Sequence, residues 1–258
     1  SYGSFIENGE EIIVTAMEHH ANIVPWQLLG RRKRVILRVV PVKKDGTLDM
    51  VTFRSLFNER TKLVAVCHVS NVLGTINPIK EIIAEAHQYN VPVLVDGAQA
   101  VSHLKVDVQD LDADFYAFSA HKMYAPSLGV MVWRDDLEDK LVDGFIGGGM
   151  VDDVKKDNYI LSAENKEHRY TRFEAGLQAW GEIIGLGAAI KWLDKLPKKA
   201  WQNLENNTRE LYDFLKGSDK VHMVNHEPNP TMTFYVEGLD SHLLGNALSR
   251  ENVMVRTG

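Results

Sequence analysis

The chain has 258 residues, 45% of them hydrophobic and 25% charged, with 35 Asp and Glu against 29 Lys and Arg for a formal net charge of −6. These proportions belong to a globular protein and exclude a disordered, collagen-like or coiled-coil chain. The acidic balance argues against a nucleic-acid binder or a binder of anionic membranes, either of which needs a basic face. No apolar stretch approaches the roughly 20 residues that span a bilayer, and residues 1–4 lack the charged and apolar regions of a secretion signal. The single cysteine, Cys67, rules out an intrachain disulfide and fits a reducing compartment. The expectation is a cytoplasmic α/β protein.

In chain order, residues 11–16 read as a strand and 21–30 as a helix, ended by the basic run Arg31-Arg32-Lys33-Arg34 before a β-branched strand at 35–40. Pro41 stops that strand, residues 44–47 turn, and 52–58 form a short helix. Strands are predicted at 63–68, 91–95, 114–118 and 129–133, with an amphipathic helix at 79–89 opened by Pro78. Continuously apolar strands separated by helices specify a mostly parallel sheet covered on both faces. After Gly147-Gly148-Gly149 the residues 152–172 read as an irregular polar loop. A long helix follows at 177–196, then a second to about 216, then strand (231–236), helix (241–250) and strand (253–256). The division is a large unit, 1–175, and the beginning of a smaller α+β unit, 176–258. The chain starts without Met and stops just after a strand pattern, so a fragment is expected.

In a parallel sheet, ligands sit beyond the carboxyl ends of the strands. The residues delivered there are Glu18-His19-His20-Ala21-Asn22, Ser70-Asn71, Asp96-Gly97-Ala98-Gln99 and Ser119-Ala120-His121-Lys122. Taken singly each has a plain explanation: a surface lysine, a helix-capping aspartate, satisfied rim histidines. The Cys and paired-His spacing of a zinc site is absent, and the three glycines at 147–149 lack the spacing of a nucleotide loop. Taken together, an acid, a lysine, imidazoles, an amide and hydroxyls on one rim suit pyridoxal 5'-phosphate (PLP). This cofactor needs a lysine that loses its proton, an acidic partner for the pyridine nitrogen and donors for the phosphate.

The segments Glu18-His19-His20-Ala21-Asn22-Ile23-Val24-Pro25-Trp26, His68-Val69-Ser70-Asn71-Val72-Leu73-Gly74, Val95-Asp96-Gly97-Ala98-Gln99-Ala100, Asp114-Phe115-Tyr116-Ala117-Phe118-Ser119-Ala120-His121-Lys122 and Arg172-Phe173-Glu174-Ala175-Gly176 closely resemble the SUF-type (group II) cysteine desulfurases. These belong to the class-V aminotransferase family of fold-type I PLP enzymes. The resemblance implies a fold-type I α/β architecture with a sheet of the seven-stranded type. It also implies that Lys122 is the Schiff-base lysine and proton carrier and that His19 stacks on the cofactor ring. Asp96 would pair with the pyridine nitrogen, Gln99 with the phenolic oxygen, Ser119 and His121 with the phosphate, and Asn71 would lie close to cofactor and substrate. It implies conversion of L-cysteine to L-alanine, with the sulfur handed as a persulfide on an active-site cysteine to an acceptor protein for iron–sulfur cluster assembly, by a homodimer.

Several positions depart from the family pattern. The family's nucleophilic cysteine follows shortly after an Arg-Thr-Gly like Arg256-Thr257-Gly258. Its substrate-carboxylate arginine lies further on, and a phosphate-holding threonine lies in an N-terminal stretch; none of the three is among these residues. Cys67, in a buried strand, is a packing residue rather than a substitute. Leu177-Gln178 replaces the usual Thr-Pro, Ala120 replaces a glycine, and the glycine-rich loop after the lysine reads Tyr124-Ala125-Pro126-Ser127-Leu128-Gly129. Two other readings share these residues: a selenocysteine lyase, aminotransferase or epimerase of the same family, and an inactive homologue kept as a dimeric scaffold.

Overall fold

Strands β1 (Glu11–Thr15) and β3 (Thr61–Cys67) are apolar along almost their whole length because both of their faces are covered. Alternate residues point to opposite faces. Ile13, Val64 and Val66 therefore join Phe53, Ile82, Ile83 and Tyr116 in one core layer, while Ile12, Val14, Leu63 and Ala65 join Ile6 and Val35 in the other. The computed structural model describes residues 2–141, 146–161 and 170–258.

Around these two strands the chain adds α1 (His20–Lys33), β2 (Ile36–Val40), α2 (Met50–Ser55), α3 (Ile79–Gln88), β4 (Val93–Asp96), β5 (Phe115–Ser119) and β6 (Gly129–Trp133). The sheet order is β2-β1-β3-β4-β5-β6. All neighbours are parallel except β5 and β6, which are antiparallel. The mostly parallel sheet of the expectation is present, with six strands among the described residues where a seven-stranded type was expected. Local chemistry sets the boundaries. Asp49 accepts from the Val51 and Thr52 amides and so starts α2 ahead of the predicted residue 52. The basic run ends α1, where cations suit the carboxyl end of a helix, and Arg34 turns out of it with φ 59°.

Beyond the sheet come β7 (Val151–Lys155), β8 (Asn158–Leu161), α4 (Tyr170–Phe173), α5 (Trp180–Asp194), α6 (Lys198–Lys216), β9 (Val221–Met223), β10 (Phe234–Val236) and α7 (Ser241–Arg250). Two expectations are corrected. The polar stretch read as an irregular loop contains an antiparallel hairpin, β7 with β8. Val154, Tyr159 and Ile160 supply enough strand-forming side chains between the charges, and the chain reverses between Lys155 and Asn158; residues 162–169 of that stretch lie outside the described residues. The strand expected at 253–256 is irregular, because β10 pairs with the short β9 and nothing among the described residues pairs with 253–256. No described helix is long and apolar enough to cross a membrane.

Candidate active site

Because β1, β3, β4 and β5 run parallel, their carboxyl ends share one rim; β6 runs the other way and brings its first residue there, Gly129 pairing with Ser119. A cavity of about 460 Å³ opens at that rim, within the usual range for small-molecule sites. His19, Asn71, Asp96, Gln99, Ser119 and Lys122 line its polar side, and Trp26, Leu94, Val130 and Met131 supply apolar wall. Six of the seven residues singled out from the sequence thus face one cavity.

The seventh, His121, is exposed and does not line it. Residues 120–123 form a 3-10 turn, in which side chains three apart eclipse. Ser119, at its N-cap, and Lys122 therefore share a side, and His121 faces another. Tyr124 closes the turn with φ 67°, and the Ala120 amide donates to the Leu128 carbonyl at 2.8 Å, which returns the chain to β6.

Asp96 is the last residue of β4. One carboxylate oxygen accepts from the Ala98 amide at 2.9 Å, and no cation pairs with Asp96 or with Glu18, nor any carboxylate with Lys122, among the described residues. The turn after Asp96 is tight: the Gly97 amide donates to the Ala117 carbonyl, and a Cβ on Gly97 would overlap the Tyr116 ring. Tyr116 Oη in turn meets His68 Nδ1 at 2.9 Å. Burial holds the His68 imidazole neutral, pulled down to about 4. Burial, with the Asp96 charge adding, pushes the Tyr116 phenol above its ordinary range. Asn71 sits in a turn braced by Ser70, whose hydroxyl accepts from the Leu73 amide at 3.1 Å.

His19 caps α1, its Nδ1 accepting from the Ala21 amide at 3.1 Å, and stands exposed on the cavity lip. The residue before it, Glu18, is partly buried behind the wall. Burial raises its carboxyl group despite three hydrogen bonds. Cys67 is buried with its thiol pushed well up, first by burial and then by the Glu18 and Asp96 charges. The Gly97–Tyr116 fit has no local signal in the sequence, where Glu18 is one polar residue among its neighbours. The apolar wall was foreshadowed only by β6 following the lysine. No group of three or more His, Cys, Asp or Glu among the described residues could hold a metal ion.

The family model for aminotransferase class-V matches residues 1–258. A cysteine desulfurase of Pectobacterium atrosepticum is 40% identical over 100% of this chain and 63% of its own length. Among solved structures, the cysteine desulfurase CsdA from Escherichia coli superposes with a TM-score of 0.88 at 28% identity, over 98% of this chain and 63% of that one. A C-DES variant with glycine covalently linked to its PLP cofactor shares the fold, with a TM-score of 0.83 at 24% identity over 100% of this chain and 71% of that one. The chain spans about three-fifths of the length of the first two.

Proposed function

The chain belongs to the class-V aminotransferase family, and from that membership we propose that it works as a PLP-dependent cysteine desulfurase, taking L-cysteine to L-alanine and passing the sulfur on as a persulfide. The observation that carries the reading is the convergence of Asp96 and Lys122, each without a partner of opposite charge among the described residues, on one cavity with His19, Gln99 and Ser119. The donor set fits the cofactor. Asp96 has a carboxylate oxygen to spare for a protonated pyridine nitrogen, Ser119 has a hydroxyl for phosphate, and the His19 imidazole, which lines the cavity, would stack on the ring. Bound PLP supplies an electron sink for the substrate's Cα. Lys122 is the residue that would hold it covalently, and its Nζ, paired with no carboxylate among the described residues, would take the Cα proton. Gln99 and Asn71 contribute amide groups to cofactor and substrate oxygens. His121, exposed beside Ser119 and Lys122, stays in the proposal as a second phosphate ligand.

Sulfur acceptance falls to a cysteine other than Cys67, whose thiol burial keeps protonated. The wider assignment, as homodimer, sulfur donor to an acceptor protein of iron–sulfur assembly, and cytoplasmic enzyme, is part of the same proposal. So is the division into a large unit, 1–175, and a smaller one, 176–258.

The test is to incubate the protein with PLP, reduce with borohydride and map the peptides, then to assay alanine formation from L-cysteine in the full-length protein. The label is expected on Lys122 and absent in Lys122→Ala. A folded protein that takes no label overturns the cofactor assignment. A labelled protein that forms no alanine from cysteine, yet processes selenocysteine or another amino acid, overturns the substrate.

A further inference from the structure

Glu18 stands behind the cavity wall without lining it, and each of its polar contacts among the described residues is with a donor. Thr15, at the end of β1, donates its hydroxyl to Oε1 at 2.5 Å. The Cys67 backbone amide, at the end of β3, donates to the same oxygen at 2.9 Å. Asn22, in the first turn of α1, donates Nδ2 to Oε2 at 2.7 Å. Two of these partners, Asn22 and Cys67, line the cavity, as does the next residue, His19. The Asn22 amide also donates to the His19 carbonyl at 2.8 Å, so His19 lies inside the loop of contacts that Glu18 closes.

A carboxylate placed among three donors is bound as an acceptor of all three, since protonation would turn one oxygen into a competing donor. Each of those donors is pulled from water and costs free energy if its acceptor is removed. The effect is to tie the end of β1, the end of β3 and the first turn of α1 together at the point where His19 leaves the sheet.

We infer that Glu18 is a positioning residue: its carboxylate fixes the end of β1, the end of β3 and the first turn of α1 as one frame, and that frame sets His19 and the adjoining wall for the cofactor. The inference rests on the proposed use of the cavity as a PLP site, though the frame itself is a property of the chain alone. Glu18 touches no reacting atom. Its action is through His19, Asn22 and Cys67.

The test compares wild type with Glu18→Gln, which keeps the size of the side chain but puts an amide NH₂ against one of the donors. Two readouts are taken: hydrogen exchange of individual amides, and the dissociation constant for PLP. Exchange of the Ala21, Asn22 and Cys67 amides is expected to quicken about tenfold or more, the scale of one buried donor left without its acceptor, while α6 amides keep their wild-type rates. PLP affinity is expected to weaken by about the same factor. A uniform rise in exchange over the whole chain would reduce Glu18 to a contributor to global stability and overturn the inference. So would wild-type PLP affinity in the folded variant. Should Glu18→Gln fail to fold, Asn22→Ala removes one donor, leaves the carboxylate in place, and is judged by the same two readouts. Wild-type protein that binds no PLP defeats the cofactor reading, and the local exchange contrast alone then decides for or against the frame.

Discussion

Gly97 is the residue on which the cavity floor depends. Its φ is ordinary, so the requirement is for space: any side chain there would enter the Tyr116 ring, which cannot retreat because it is buried and tied through its hydroxyl to His68. Gly97→Ala is therefore expected to destabilise the protein by about 1–3 kcal/mol, the usual cost of overpacking a filled core. It should also displace Asp96, whose backbone carbonyl accepts from the His68 amide. Urea denaturation and PLP titration check both effects, and a variant of wild-type stability would refute the packing argument. The sequence carried this only as Asp96-Gly97, a common turn pair. The reason for the glycine lies nineteen residues on, in Tyr116, and no local pattern reveals such a contact. The same holds for His121. It stands in sequence between Ser119 and Lys122 as an expected phosphate ligand, and only the 3-10 turn shows that it is exposed and does not line the cavity as they do.

At the scale of elements, β1 is fastened at both ends by carboxylates, and the two behave oppositely. Glu18 at its exit lies among neutral donors. Glu11 at its entry is fully buried beneath two arginines: Arg38 bonds it through Nε and Nη2, both at 2.8 Å, Arg60 reaches it at 2.7 Å, and Asn58 donates at 2.9 Å. The Arg38 hydrogen bond is the main cause that holds its carboxyl at about 2. A carboxyl depressed in the folded state stabilises the protein above the ordinary carboxylate range, and that stabilisation drains away as pH falls toward the folded value. Urea midpoints of the wild type should decline from about pH 5 to about pH 2, and Glu11→Gln should start lower at neutral pH and decline less over that interval. Equal slopes would show that Glu11 is not the group responsible.

Most of the sheet was legible because burial on both faces writes itself as unbroken apolar runs; β6 and α7 fall on the predicted residues. The hairpin of β7 and β8 was not legible, because its apolar residues are interrupted by acids and lysines and half exposed. The failed strand at 253–256 makes the complementary point. Its pattern favours a strand, but a strand needs a neighbour, and pairing is not written in the segment itself.

In the whole molecule the second group of elements rests on the loop that carries Asn71 and the loop that follows Lys122. Asn225 Nδ2 donates to the Leu73 and Thr231 carbonyls, and Thr233 Oγ1 donates to the Val72 carbonyl, gripping the turn that holds Asn71. Helix α5 lies on the loop after Lys122: Gly185 leaves room for Pro126, and Trp192 meets Tyr124 edge-to-face at 5.4 Å. Gly74 is the tightest point of the first contact, with φ +67° and no room for a Cβ before the Thr231 carbonyl. Gly74→Ala should loosen the grip and speed proteolytic cleavage within residues 217–233 while the sheet, 11–133, resists as before. Unchanged digestion would refute this coupling.

The single reversal in the sheet has a further consequence, for the order in which chain entropy is lost. Only the segment 120–128 separates β5 from β6, whereas each parallel pairing must close a crossover reaching from Thr15 to Val40, from Cys67 to Asp96, from Asp96 to Ala117, or from Val14 to Ala65. Loop closure grows dearer with the length of chain enclosed, and pairings close in sequence form most readily. The turn bearing Lys122 is thus the one part of the cavity that neighbouring sequence can build unaided, while His19, Asn71 and Asp96 reach it only through contacts distant along the chain.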